Sequence, residues 1–170
     1  HDADYFWHMT WGADSYDMSM TSEDGNRIGM VIKIPRFVHD AIPGLSEWEK
    51  GTDPVFVLAL NAEDAWDYID NMNTHGKYEQ ADPNAPAEED ILEIGGLTFI
   101  LARTSHGEIG YSLPGEVPNP PLDALDILKR FAGVFDLAYQ RFEDLQESEQ
   151  QARLILEERD RLEVALKELH

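Results

Sequence analysis

Residues 121–170 read as one long helix, and its apolar stripe changes character halfway along. In the first half the stripe is bulky and partly aromatic, which is typical of a helix packed on a globular body. Beyond Leu145 the stripe narrows to positions that recur every seven residues, with polar side chains almost everywhere else. So narrow a stripe cannot be buried against one domain, but it can close against an identical helix. The sequence therefore predicts a compact domain over residues 1–120 and a dimeric coiled-coil helix over residues 121–170.

Each half of the stripe has its own expected partner. The half that we expect to pack on the body comprises Leu125, Leu128, Phe131, Phe135 and Phe142. The half that we expect to form the dimer interface comprises Leu145, Ala152, Ile155, Arg159, Leu162, Leu166 and Leu169. Ser148 and Arg159 place polar groups on positions of this seven-residue repeat. Polar residues at such positions lower coiled-coil stability and keep two packings close in energy, which favours a switch.

Acidic residues far outnumber basic ones, 34 against 13, which gives a formal net charge of −21. The acids are dispersed over every segment rather than gathered in one patch. Because such a surface repels nucleic-acid phosphates and anionic lipid headgroups, we expect neither nucleic acid nor a membrane as a partner. Dispersed acidity with few lysines favours adaptation to high salt, since screening at about 1 M shortens the Debye length to about 3 Å.

Cysteine is absent, which excludes disulfides, thiolate metal sites and thiol nucleophiles. Neither a signal peptide nor a long apolar run is visible, so we expect a cytoplasmic protein. The chain lacks an initiating methionine and has histidine at both ends. We therefore expect it to be a fragment of a longer protein.

Hydrophobic periodicity divides the first 120 residues into strands and helices. Strands are predicted over residues 5–11, 16–20, 28–34, 55–60, 97–104 and 108–113, with a turn at residues 23–26. A short helix is predicted over residues 43–51, with Leu45 and Trp48 facing inward, and Asn61 is predicted to cap a second helix. These elements describe an α+β domain on a mostly antiparallel sheet, with flanking helices and the long C-terminal helix.

Two segments carry a more specific expectation. Residues 55–60 are apolar on both faces, which predicts a central strand covered by helix. Residues 79–90 are polar and interrupted by prolines, which predicts a solvated loop.

Residues 126–153, DILKRFAGVFDLAYQRFEDLQESEQQAR, resemble the exit helix of GAF-type sensor regions in soluble bacterial sensor histidine kinases. Residues 162–170 are similar to the linker that precedes the phosphoacceptor helices of such kinases. In the body, His39, Trp48 and Gly51 followed by an apolar strand resemble the first helix and central strand of those regions. The resemblance implies a GAF/PAS-like sensor domain, a parallel homodimer and a kinase domain further along the same chain.

The resemblance gives a functional hypothesis: a sensory input module of a histidine kinase that transmits its state through a parallel coiled coil. No phosphoacceptor box or nucleotide-binding motif is present, so we expect no enzymatic activity of this chain itself. Two alternatives stay open. In the first, the body is a ligand-free dimerisation or docking module with no sensory role, and the presence or absence of a cavity of some hundreds of cubic ångströms between sheet and helices distinguishes the two interpretations. The same input domain would also serve a cyclase or a phosphatase.

Aromatic residues are the candidates for ligand binding, because small-molecule sites are mainly apolar with a few polar anchors. The candidate residues are Trp7, Trp11, Trp66, Arg103 and Tyr111. In this hypothesis Arg103 pairs with a ligand carboxylate or phosphate. The competing interpretation is that the tryptophans fill a small core and Arg103 pairs with an acidic residue of the protein.

Metal binding and catalysis have little support in the sequence. The six histidines show no spacing of a metal-ligand motif, so we expect no metal and no cofactor, with surface or capped histidines instead. If a haem were bound, His8 and His39 would be the candidate axial ligands. The carboxylate pairs lie in no apolar setting that would raise a pKa, and no catalytic residue is predicted.

Overall fold

The computed structural model describes residues 5–21, 28–81 and 85–169 of the chain, so the turn predicted at residues 23–26 lies outside them. The strands are β1 (Phe6–Trp11), β2 (Ser15–Thr21), β3 (Ile28–Pro35), β4 (Val55–Leu60), β5 (Leu97–Arg103) and β6 (Gly107–Pro114). The helices are α1 (Arg36–Asp40), α2 (Leu45–Lys50), α3 (Ala62–Gly76), α4 (Tyr78–Ala81), α5 (Glu88–Ile94) and α6 (Leu122–Glu168). The chain divides into two compact units, His1–Gly133 and Val134–His170.

The strands form one six-stranded sheet in the order β3-β2-β1-β6-β5-β4, and every neighbouring pair is antiparallel. The predicted α+β class and antiparallel sheet are therefore confirmed. The central position predicted for β4 is wrong, because β4 lies at the sheet edge. Its run is apolar on both faces because all six residues are half-buried, with Phe56, Leu58 and Leu60 packing on the cluster around Trp48. The apolar composition of β4 therefore reflects burial of both of its faces and not a central position in the sheet.

Local capping explains where the helices begin. Asn61 caps α3 as predicted, since its side-chain oxygen accepts a hydrogen bond from the Asp64 backbone N–H at 3.0 Å. The loop predicted over residues 79–90 is interrupted by α4 and by the start of α5, although residues 82–84 lie outside the described part. The Asp90 carboxylate accepts from the backbone N–H of Ala87 at 2.9 Å and so fixes the start of α5. This acidic stretch is therefore a helix N-terminus, where negative charge is favourable.

The inner face of the sheet packs against α1, α2 and α3. Its main core cluster joins sheet residues of β1 to β3 with Val38 of α1, Ile69 and Met72 of α3 and Tyr78 of α4. A second cluster joins Phe99 and Leu101 of β5 to the loop residue Ile42 and to α2. In α2, Leu45 and Trp48 are buried, which confirms their predicted inward direction.

The opposite face of the sheet is also buried along β5, where Ile100 and Ala102 are fully covered. Tyr111 of β6 pairs with Ile100 in the ladder and shares this face. Asp123, in the first turn of α6, lies close enough to Tyr111 to help burial raise its pKa. The beginning of α6 therefore lies on this face.

The first half of the α6 stripe is less buried than predicted. Leu128 is buried as predicted, but Phe131 and Phe142 are 57% and 54% exposed. The expectation that Phe131 packs on the body is wrong. Phe131 and Ala132 lie on opposite sides of Leu128, about 60° and about 40° around the helix axis, and the side that carries Ala132 is the buried one. No helix in the described ranges is long and apolar enough to cross a membrane.

Candidate functional site

A cavity of about 140 Å³ lies between the inner face of the sheet and helices α3 to α5. Its lining is apolar or aromatic apart from the tyrosine hydroxyls and one serine. The lining residues are Tyr5, Trp7, Met18, Met20, Tyr68, Ile69, Met72, Tyr78, Pro86, Ile91, Ile94, Leu97, Phe99, Ser112 and Pro114. An apolar cavity of about 150 Å³ is large enough to bind benzene, whereas typical ligand pockets measure about 300–1,000 Å³. The cavity is therefore smaller than the sensor hypothesis expected and suits a single ring.

The five predicted ligand-binding residues are not gathered around this cavity. Trp7 lines it, and Trp66 is half-buried against the main core cluster. Trp11 packs edge-on against Trp48, with ring centroids 5.6 Å apart. Tyr111 lies on the opposite face of the sheet, where its ring contacts Phe6 at 5.6 Å. The aromatic composition thus indicated that the domain has a cavity, but it did not identify the residues that line the cavity.

Arg103 is engaged by the protein itself. Its guanidinium lies 4.7 Å from the ring centroid of Trp48 and 5.3 Å from that of Trp11. The same group donates hydrogen bonds to the backbone carbonyls of Trp48, of Glu49 at 3.0 Å and of Asp53 at 3.3 Å. Arg103 therefore fixes the C-terminal end of α2 and the segment after it against β5, rather than reaching a ligand anion.

Glu108 is a buried carboxylate that the sequence pattern did not single out. It lies on β6, is 2% exposed, and accepts hydrogen bonds from the indole N–H groups of Trp11 at 3.2 Å and Trp7 at 3.5 Å. Burial raises the pKa of Glu108 to about 7, against the opposing effect of the two indole hydrogen bonds. The prediction considered carboxylate pairs only, so it did not cover this single buried residue. Its signal was the strand alternation itself, which places residue 108 on the same face as Ser112, four residues along β6.

A second set of polar side chains lies beside the core, at the start of β2. The Tyr16 hydroxyl donates to the Glu49 carboxylate at 2.7 Å, and Arg36 forms an ion pair with the same carboxylate. The Arg36 guanidinium also lies over the Tyr16 ring, 4.7 Å from its centroid. Burial and then the Glu49 carboxylate raise the pKa of Tyr16 far above its ordinary value. This group joins α1, α2 and β2.

His39 lies in the interior, not on the surface or in a cap as predicted. It is 4% exposed, and its ring packs 4.4 Å from the Tyr16 centroid and 6.2 Å from the Tyr68 centroid. Neither ring nitrogen has a hydrogen-bond partner among the described residues. Burial lowers the pKa of His39 to about 4, so the ring is neutral at neutral pH. Within the described ranges no group of three or more potential metal ligands is present.

The apolar residues in the half of α6 that the sequence predicts to form a coiled coil are exposed to solvent. All residues from 140 to 169 are exposed, and the predicted interface residues Leu145, Ile155, Leu162, Leu166 and Leu169 range from 57% to 82% exposed. The same seven-residue repeat extends towards the start of α6 to four residues that the predicted interface did not include. From Leu145 it reaches Ala138 and Phe131, and from Ile155 it reaches Val134 and Ile127. We call these exposed residues, together with Ala152, the outer stripe.

The outer stripe keeps one heptad phase from Ile127 to Leu169. Ile127, Phe131 and Val134 are each more than half exposed, although the neighbouring Leu128 and Ala132 are buried. The start of α6 therefore has two apolar faces, one used by the domain and one left exposed. The heptad spacing of the exposed face was visible in the sequence. It was overlooked because the aromatic residues in the first half of α6 suggested packing on the body.

No protein-family model, curated protein or solved structure matches this chain. The resemblance of residues 126–153 to a GAF-type exit helix therefore stays a prediction.

Proposed function

We propose that this chain is the sensory input module of a cytoplasmic signal-transducing histidine kinase, and that it works as a parallel homodimer which transmits its state along α6. The outer stripe is the observation that carries the proposal. It presents nine apolar residues in heptad phase on a 47-residue helix, followed by Leu169 directly after the helix, and this helix begins in one compact unit and continues through the other. A continuous helix of this kind can transmit a conformational change from the domain along its length.

The energetics of the outer stripe favour a second copy as its partner. Burying a leucine or isoleucine side chain contributes about 1.5–3 kcal/mol, and a dimer buries each position twice. The stripe is interrupted by polar residues at three heptad positions, Arg141, Ser148 and Arg159. Such interruptions lower stability without abolishing the coiled coil, and they supply the alternative packings that signal transmission needs.

The sensor and kinase parts of the proposal have separate support. The interior cavity supports a sensor, because it lies within the domain from which α6 emerges. The kinase rests on the resemblance of residues 126–153 and 162–170 to the helix and linker of such enzymes. A ligand-free dimerisation or docking module is the second candidate, and the small volume of the cavity is the observation that favours it.

Two deletions in α6 test transmission, with the chain fused ahead of an autophosphorylating kinase core. Deleting residues 147–153 removes one heptad and leaves the outer stripe in phase, so we expect autophosphorylation to stay within about twofold of the parent fusion. Deleting residues 150–151 turns the rest of the helix by about 200° and breaks the phase. We expect this smaller deletion to change the autophosphorylation rate by about tenfold or more, in either direction. Equal effects of the two deletions would argue against transmission along the helix.

A further inference from the structure

We propose that the interior cavity is a binding site for a small, uncharged molecule built on one apolar ring. The idea that this ligand is the signal rests on the proposed function, whereas the proposal that the cavity binds it does not. The volume of about 140 Å³ matches one ring and its immediate substituents.

The chemistry of the walls excludes an ion. Among the described lining residues none carries a formal charge at neutral pH, and the polar groups are hydroxyls of tyrosine and Ser112 together with the indole of Trp7. A buried ion without a partner costs several kcal/mol, so a charged ligand needs an opposite charge in the wall. Arg103, on the same face of the sheet, does not line the cavity, and each of its three side-chain nitrogens donates to a backbone carbonyl. An anion would also lie near Glu108, behind the Trp7 wall.

The walls can also adapt to such a ligand. Three of them are methionines, Met18, Met20 and Met72, which are unbranched and polarizable and make favourable contacts with aromatic rings. The aromatic walls Tyr68 and Phe99 already pack against each other with ring centroids 5.1 Å apart, and a further ring can pack edge-on against the side of either that faces the cavity. An apolar ring therefore replaces empty space by dispersion contacts at no cost in hydrogen bonding.

Methionine methyl NMR with phenol as the probe tests the site. Phenol is neutral at neutral pH, and benzoate is an anion of similar size. We expect saturable shifts of the Met18, Met20 and Met72 methyl signals with a dissociation constant of about 1 mM or tighter, and little change for Met9, which is buried but does not line the cavity. Benzoate should leave all four signals in place.

Two variants make the assignment specific. Ser112→Leu fills part of the cavity and should weaken phenol binding by about tenfold or more, whereas Met9→Leu, a swap of similar volume outside the cavity, should leave binding unchanged. No saturable shift in the parent chain, an equal response to benzoate, or undiminished binding in a folded Ser112→Leu variant would overturn the proposal. If Ser112→Leu does not fold, the comparison of phenol with benzoate in the parent chain decides alone. If the cavity does not bind a ligand, the proposed dimerisation through α6 still stands, because separate experiments test it.

Discussion

Replacing Ile155 and Leu162 together by lysine is expected to dissociate the proposed dimer into monomers. Both residues lie on the outer stripe and are 70% and 57% exposed in the single chain. In the dimer the double substitution removes four buried apolar side chains and places four ammonium groups at the seam. At about 1.5–3 kcal/mol per side chain, the dimer dissociation constant should rise by about 1,000-fold or more. Sedimentation equilibrium in about 1 M salt, where repulsion between the acidic chains is screened, measures this constant.

The control for this experiment carries the same change in charge. Gln146→Lys with Gln150→Lys also adds two positive charges to α6, but on the side away from the outer stripe. Added lysines reduce the net charge of −21 and hence the repulsion between copies, so charge alone would strengthen the dimer. The control should therefore dimerise at least as tightly as the parent chain. A parent chain that is monomeric at high concentration, or a lysine variant of Ile155 and Leu162 that still dimerises, would be incompatible with the proposed interface.

Glu108→Gln is expected to remove a large pH dependence of stability. The folded-state pKa of Glu108 is about 7, against an ordinary value of 4.5, so the folded chain holds this proton more tightly than the unfolded chain. Its contribution is therefore fully present below about pH 4.5 and is lost as the pH rises to about 7, a loss of roughly 3 kcal/mol in the free energy of unfolding. Glutamine keeps an oxygen to accept from the indoles but cannot titrate. The difference between parent and variant, from urea unfolding at pH 4.5 to 8, measures this contribution.

His39 provides a control of opposite sign. Its folded-state pKa is lowered from 6.5 to about 4, so its contribution is present above about pH 6.5 and is lost as the pH falls through about 4. The parent chain should therefore show a shallow profile between pH 4.5 and 6.5, where the two groups oppose each other. Glu108→Gln should reveal stability that rises with pH, and His39→Phe stability that falls with it. Parallel curves for the parent chain and Glu108→Gln would show that the buried carboxyl does not titrate as described.

Much of the fold was predictable because strand alternation and capping are local. Strands β1, β2 and β3 fall where large apolar residues alternate with other residues, and Asn61 caps a helix through contacts three residues away. The position of β4 was not predictable from its own residues, since an apolar run reports that both faces are covered and not which strands lie beside it. The helix α5 was missed because a proline-rich approach hid the cap supplied by Asp90.

The candidate site was predictable only in kind. Aromatic composition pointed to an apolar cavity, but which aromatic residues line it depends on pairing between distant strands, and that pairing places Trp7 and Tyr111 on opposite faces. The burial of Glu108 and His39 depends in the same way on what packs above them. Heptad spacing on α6, by contrast, is a local property, and it extends to Ile127 with no information from the rest of the chain.

Cysteine cross-linking tests the central claim, dimerisation of α6 in parallel and in register, most directly. The chain has no cysteine, so a disulfide must join introduced residues. In a parallel dimer Ile155→Cys meets its own copy, within the Cα separation of about 4.4–6.8 Å that a disulfide requires. Glu157→Cys, on the outward side of the same turn, does not. We expect a covalent dimer from Ile155→Cys under mild oxidation and none from Glu157→Cys, whereas equal cross-linking of both, or of neither, would rule out the proposed parallel dimer.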